Sequence, residues 1–377
     1  MCKMKNIPFR SVETGRAPSL QMMILSLCLL AVTISRAQAP QGYYSSAEGK
    51  SGETLRTALY NIIKSHSSVS YSELWQSFYT TDVRPDNGKV WDMYSDRPGG
   101  TPSYYFTFGS DQCGNYSGEG NCYNREHSVP KSWFGGSVAP MYTDLFHLYP
   151  TDGFVNSKRS NLPIGTVTST TWTSTNGSKV GTSNISGYSG QVFEPIDSFK
   201  GDFARTYFYM ATCYKDKNLG VETLSNFSGG DLKPWAKTLL LQWAALDPVS
   251  QKEIDRNNAV WQIQHNRNPF IDYPELAEKV FGNDATPFNT SVSDYANLKR
   301  WSVYPNPTTS TINIQSFDSQ ANEITVEIHD IAGRTLLSQQ SDHSDHIQID
   351  LSKLPSGLYF VKLTSEQYTH IYKIVKQ

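Results

Sequence analysis

The chain has 377 residues, enough for two or three domains with a full core. Its 33 basic and 35 acidic residues leave a formal charge of −2, and 38% hydrophobic with 18% charged residues fits neither a disordered nor a membrane-embedded protein. With no basic excess, a nucleic-acid partner would have to be held by a local stripe of cations rather than by the overall field.

The first 37 residues read as a secretory leader. Lys3, Lys5, Arg10 and Arg16 precede an apolar run from Met22 to Ile34. Ser35 and Ala37, small and two apart, then form a cleavage site, with Ala39 as an alternative. A membrane anchor is the weaker reading, because the run is short for a bilayer. Cleavage removes five basic residues and one acid, leaving a mature charge of about −6. It also removes Cys2 and Cys28. Cys113 and Cys122 bracket the Gly-rich loop CGNYSGEGNC, where an exported protein can hold a disulfide. Cys213 lies in an apolar helical stretch and is expected as a buried free thiol. The lack of a CxxC pair argues against a zinc ribbon.

Residues 52–80 predict two helices, the first from the spacing of Leu55, Leu59, Ile62 and Ile63. Residues 82–125, rich in Gly, Pro, Tyr and Asp, predict loops and short strands. The Thr/Ser/Gly-rich stretch 166–192 alternates as a hairpin or a long surface loop. Phe199–Tyr214 predicts a helix with Phe203, Tyr207, Met210 and Ala211 on an apolar stripe. PWAKTLLLQWAAL starts a helix at proline and ends at Asp247-Pro248; Ser250 and Glu253 then form a capping box that opens the next, so the pair predicts an αα-hairpin. After a linker at 286–300 the grammar changes to short alternating runs, from TINIQ to HIYKIVK, which predict a small all-β sandwich over 301–377. The fold class expected is α+β: a mostly helical catalytic domain at 40–285 followed by that sandwich.

Three segments carry the chemistry: CYNREHSVPKSWF (122–134), DLFHLYPTDG (144–153) and FVNSKRSNLP (154–163). The second reads as a strand around His147, and the third as a short helix capped near Pro150-Thr151. Glu126 and Asn156 offer hard oxygen ligands that suit Mg²⁺, with Mn²⁺ or Ca²⁺ left open. Zinc would call for more His or Cys, and the two-His helix spacing of zinc proteases is absent. His127, neutral near pH 7, is then free to act as a general base toward water. Lys131, Lys158 and Arg159 are expected at substrate phosphates. Asn266, Arg267 and Asn268 divide between groove contact and internal hydrogen bonding, with Arg267 the candidate substrate contact. Trp75, Trp133 and Trp235 are expected in the core.

These segments, together with KGDFARTYFYMATCY and NRNPFIDYPE, closely resemble the endonuclease I family of secreted, sugar-nonspecific nucleases of the ββα-metal (His-Me finger) group, over nearly all of 50–280. The resemblance implies that His127 activates water, that Glu126 and Asn156 bind the divalent ion, and that DNA, and possibly RNA, is cut to leave 5′-phosphates. Better-known members carry an insertion after the Arg-Glu-His strand that brings an arginine to the scissile phosphate. Here no arginine stands between Phe134 and Asp144, so Arg159 is the substitute candidate. His147 matches a family position and is expected as support. The pieces VYPNPTTSTINI, DIAGR and LPSGLYFVKL resemble the C-terminal sorting domain of type IX secretion cargo in Bacteroidetes. That implies the type IX machinery as a partner and export through the periplasm to the surface or medium. One chain holds all the site residues, so a monomer is expected. The competing classes are an adhesin or glycan-binding protein without catalysis, and a zinc protease using Glu126, His127 and His147.

Overall fold

The computed structural model describes residues 39–220, 225–288, 301–316, 323–330, 334–342, 346–365 and 369–377. The leader and most of the linker lie outside the described residues. Among the described residues no helix is long and apolar enough to cross a membrane.

The two predicted helices are α1 (Gly52–Ile63), which buries Leu55, Leu59 and Ile63, and α2 (Leu74–Thr81), which buries Leu74 and Phe78. A long loop then leads to β1 (Tyr123–His127). It pairs antiparallel with β2 (Leu148–Asp152), Glu126 opposite Tyr149 and His127 opposite Leu148. β2 runs directly into α3 (Gly153–Arg159), which packs on both strands. The helix cap is Asp152 rather than the Pro150-Thr151 pair. Its Oδ1 accepts the Val155 N–H at 2.9 Å, because the chain stays extended, paired with β1, through residue 152. A methyl group added at Gly153 would come within 2.6 Å of the Tyr116 ring, so the strand-to-helix junction has no room for a side chain.

The Thr/Ser/Gly stretch forms a meander of β3 (Ser169–Thr173), β4 (Lys179–Ile185) and β5 (Tyr188–Glu194). Next comes α4 (Lys200–Cys213), the centre of the core. Where an apolar stripe was expected, every residue after Lys200 is buried. The polar ones are accommodated by partners, as when Arg205 holds Glu253. A two-strand ribbon, β6 (Phe227–Ser228) and β7 (Asp231–Leu232), precedes α5 (Pro234–Leu246) and α6 (Gln251–Gln264). The Ser250–Glu253 capping box is present. The expected αα-hairpin is not the main packing: α5 lies chiefly against α4, and α6 against α2. The short helices α7 (Pro269–Asp272) and α8 (Leu276–Phe281) close this core.

The C-terminal region is all-β. A three-stranded sheet holds β8 (Trp301–Tyr304), β9 (Thr311–Ser316) and β12 (His346–Asp350), with β9 in the middle. A four-stranded sheet holds β10 (Glu323–His329), β11 (Thr335–Asp342), β13 (Gly357–Ser365) and β14 (Thr369–Lys376) in the order 11-10-13-14. Ile312, Ile314, Ile347 and Ile349 of the first sheet share one core with Ile324, Val326, Ile328, Val361 and Ile374 of the second. The fold is therefore mixed α+β with an all-β end.

Candidate active site

β1 reads Tyr-Asn-Arg-Glu-His. Alternation places Arg125 and His127 on one side of the strand and Asn124 and Glu126 on the other. The sheet is only two strands wide, so the edge of β1 is open near its end. Residues from both sides meet in one cleft of about 290 Å³. Its lining includes Tyr71, Arg125, Glu126, His127, Lys131, Asn156 and Arg159. The adjacent acid and imidazole thus serve a single space.

Glu126 is only 3% exposed. Its Oε1 accepts the Tyr94 hydroxyl at 2.8 Å and lies 3.1 Å from Arg159 Nη1. Burial pushes its carboxyl up, and the Arg159 charge and the Tyr94 hydrogen bond work against that shift. Asn156, half-buried on α3, donates from Nδ2 to Asn124 Oδ1 at 2.7 Å, which leaves Oδ1 as the other end of its amide. Glu126 and Asn156 therefore offer two hard oxygen donors to the same cleft across thirty residues of chain.

His127 is 7% exposed, and its ring stacks on Tyr142 with centroids 5.2 Å apart. Its Nε2 lies 3.0 Å from the Tyr142 carbonyl oxygen. A carbonyl can only accept, so Nε2 carries the proton and the lone pair sits on Nδ1. Burial, and then the neighbouring His147, push the imidazole down to about 3, against the pull of the Tyr142 carbonyl. The ring is neutral at physiological pH.

His147 is fully buried with Nε2 2.6 Å from the Met141 carbonyl, and its ring centroid is 5.5 Å from that of His127. Its ring packs against that of His127. Arg159 is 1% exposed and holds the backbone of the β1 end: Nη1 donates to His127 O at 2.9 Å, and Nη2 to Ser128 O and to the Tyr207 hydroxyl. Lys131 lines the cleft, its Nζ 5.6 Å from the Tyr142 ring centre. Lys158 is exposed on α3, its Nζ over Phe154. Arg267 is instead buried outside the cleft lining, held by Asp272 through Nε at 2.8 Å and Nη2 at 2.7 Å. Asn266 and Asn268 likewise bond internally, to Tyr209 and to the start of α7. Trp133 and Trp235 are buried in the core, and Trp75 packs against it half-exposed. Cys113 and Cys122 form the expected disulfide, Cα atoms 5.6 Å apart, and Cys213 is free and buried.

His66, Asp144 and Cys213 also bring ligand-type atoms within 4.8 Å of one another. The Asp144 oxygens there already accept Tyr209, Tyr214, Gln264 and the Phe146 N–H, so this cluster is a hydrogen-bond hub.

Sequence reasoning missed Arg125, Tyr71, Tyr94 and Tyr142. The period of two from His127 pointed to Arg125. Nothing local marked the tyrosines, which arrive from distant loops and act partly through a backbone atom.

Residues 51–275 match the Endonuclease I family, and residues 302–377 match the secretion system C-terminal sorting domain. The chain is 35% identical over 262 residues to an extracellular ribonuclease of Bacillus subtilis (strain 168), covering 68% of this chain and 84% of the relative. It is 37% identical over 246 residues to an extracellular ribonuclease of Bacillus amyloliquefaciens, covering 63% and 78%. A shorter match, 31% over 129 residues, is to Endonuclease-1 of Buchnera aphidicola subsp. Baizongia pistaciae, covering 34% and 46%. The chain belongs to the endonuclease I family and is an exported nuclease that carries a C-terminal secretion sorting domain.

Proposed function

We propose that the cleft is a ββα-metal site that hydrolyses phosphodiester bonds in DNA and RNA to 5′-phosphate products, with a divalent cation held by Glu126 and Asn156. The donor set fits such an ion: a carboxylate and an amide oxygen share a solvent-open cleft, and the one imidazole there has its Nε2 proton committed to a carbonyl. Mg²⁺ suits these donors best, and Mn²⁺ or Ca²⁺ are also compatible. When bound, the cation would neutralise phosphate charge and stabilise the departing oxygen.

His127 Nδ1 takes a proton from water as the water oxygen attacks phosphorus. The P–O3′ bond breaks, the phosphate stays on the 5′ side, and the 3′ oxygen takes a proton from solvent. His147 and the Tyr142 carbonyl hold the ring in its basic tautomer. Lys131 lies where it can draw the backbone in, and Lys158, exposed on the outer side of α3, can attract flanking phosphates. Arg159 positions Glu126 and the end of β1. RNA as a substrate is favoured by the likeness to the extracellular ribonucleases of Bacillus.

The observation that carries this reading is the Nε2 contact with Tyr142 O, which leaves Nδ1 as the basic nitrogen of a ring that lines one cleft with Glu126 and Asn156. The test is cleavage of plasmid DNA and of a long RNA by the wild-type chain, with and without EDTA, beside His127→Ala. Cleavage abolished by EDTA, restored by Mg²⁺ and missing in the variant is the expected result. Full cutting in EDTA would overturn the metal, and full cutting by the variant would overturn the base.

A further inference from the structure

The arginines of the helical region separate by what they pair with. Arg159, Arg205, Arg256 and Arg267 are buried, and each meets a carboxylate: Glu126, Glu253, Asp82 and Asp272 respectively. Arg125 is half-buried in the cleft, and among the described residues no carboxylate lies within ion-pair distance of it. Its guanidinium is nevertheless held in place. It lies 3.6 Å from the ring centre of Tyr71 and 4.3 Å from that of Trp75, and Nη1 donates to Tyr71 O at 2.6 Å. A guanidinium has five N–H donors, so the others are available to an acceptor entering the cleft. Confining a cation between two rings with no anion beside it is costly unless a ligand brings the anion.

The position suits such a ligand. Arg125 and His127 are two residues apart on one strand, hence on the same side and about 6.6 Å apart along it. Both line the cleft. The arginine expected at the phosphate from the sequence was Arg159, whose terminal nitrogens are given to Glu126, three backbone carbonyls and Tyr207.

We infer that Arg125, sandwiched between Tyr71 and Trp75, is the residue that grips a backbone phosphate of the substrate strand lying against His127. This rests on the reading of the cleft as a hydrolytic site. The planar fork would take two phosphate oxygens, and the aromatic sandwich fixes it before the substrate arrives.

The experiment measures binding of a labelled single-stranded oligonucleotide to His127→Ala protein across a salt titration, with and without a second change at Arg125. Cleavage by the single Arg125 variants is measured in parallel. Arg125→Gln is expected to cut kcat/KM about tenfold to hundredfold and to lower the salt slope of binding by about 0.7, the loss of one phosphate contact. Arg125→Lys is expected to keep the slope, because the charge stays, while losing rate, because the fork is gone. Arg125→Met retains an apolar filler between the rings and replaces the Gln variant should that one fail to fold. An unchanged slope in a folded Gln or Met variant overturns the inference. So does equal behaviour of Lys and Met, which would mean packing alone. Loss of folding in both neutral variants also assigns Arg125 to packing and overturns it. Wild-type cutting by His127→Ala alone would instead defeat the assignment of His127 as the base of this cleft, which separates the two failures.

Discussion

Two antiparallel regions of this protein are built on opposite terms. In the C-terminal sheets, strands such as TINIQ and HIQID alternate apolar and polar residues, and the isoleucines of each face a common core. β1 spells YNREH and buries its acid and its imidazole. The hydrophobic effect alone specifies the first arrangement. The second exists only because each buried polar group meets a partner from elsewhere: Tyr94 and Arg159 on Glu126, and the Tyr142 carbonyl on His127. One region can be substituted for shape, whereas the other fails when any partner is removed.

The largest way to break that contrast is at His127, the proposed base. His127→Ala should lower the cleavage rate by roughly 10²–10⁴ while leaving the protein folded, measured by single-turnover cleavage beside a thermal melt. A rate within threefold of wild type would remove the polar strand's special status. Next is the strut. Arg159→Met strands the Glu126 carboxylate in a buried site and should cost about 3–5 kcal/mol in urea unfolding. A cost under about 1 kcal/mol would mean that the pair is dispensable. In the apolar sheets, Ile314→Ala should cost about 2–5 kcal/mol of local stability and leave nuclease turnover unchanged. A fall in turnover would show that the two regions are not independent.

A pH experiment sharpens the comparison on the polar side. Asp92 is fully buried, and burial, then the Asp152 charge, push its carboxyl up to about 8. The folded state therefore keeps a proton that the unfolded chain releases near the ordinary carboxyl value. The stabilising term is full below about pH 4 and is lost as pH rises to about 8. Asp92→Asn should flatten that part of the profile of unfolding free energy against pH. An unaltered slope would place the proton elsewhere. The smallest effect is expected at the capping box, where Ser250→Ala should cost about 1 kcal/mol with no change in rate.

Legibility followed the same division. The C-terminal β region, α1, α2 and the capping box could be read from periodicity and cap chemistry, because local rules decide them. The meander at 169–194 was readable as alternation, though not as three strands. α4 was read as amphipathic, yet it is enclosed on all sides, since burial of Arg205 and Asp202 depends on partners that no local pattern reveals. At the site, Glu126, His127 and Asn156, grouped by their motifs in the sequence, line one cleft. Arg159 was legible as a cation but not as a strut, and Arg125 was passed over although it stands two places from His127. Sequence shows which side chains carry charge. Only the fold shows which of those charges are already answered.

The contact between His127 and residue 142 is made to a main-chain oxygen. Every amino acid supplies that atom, so a mutational scan at position 142 that asks only about side chains will find nothing there beyond ring packing. The tautomer of His127 is thus written in the path of the loop, and what would erase it is a change of loop length or of the Pro140 turn that leads into it.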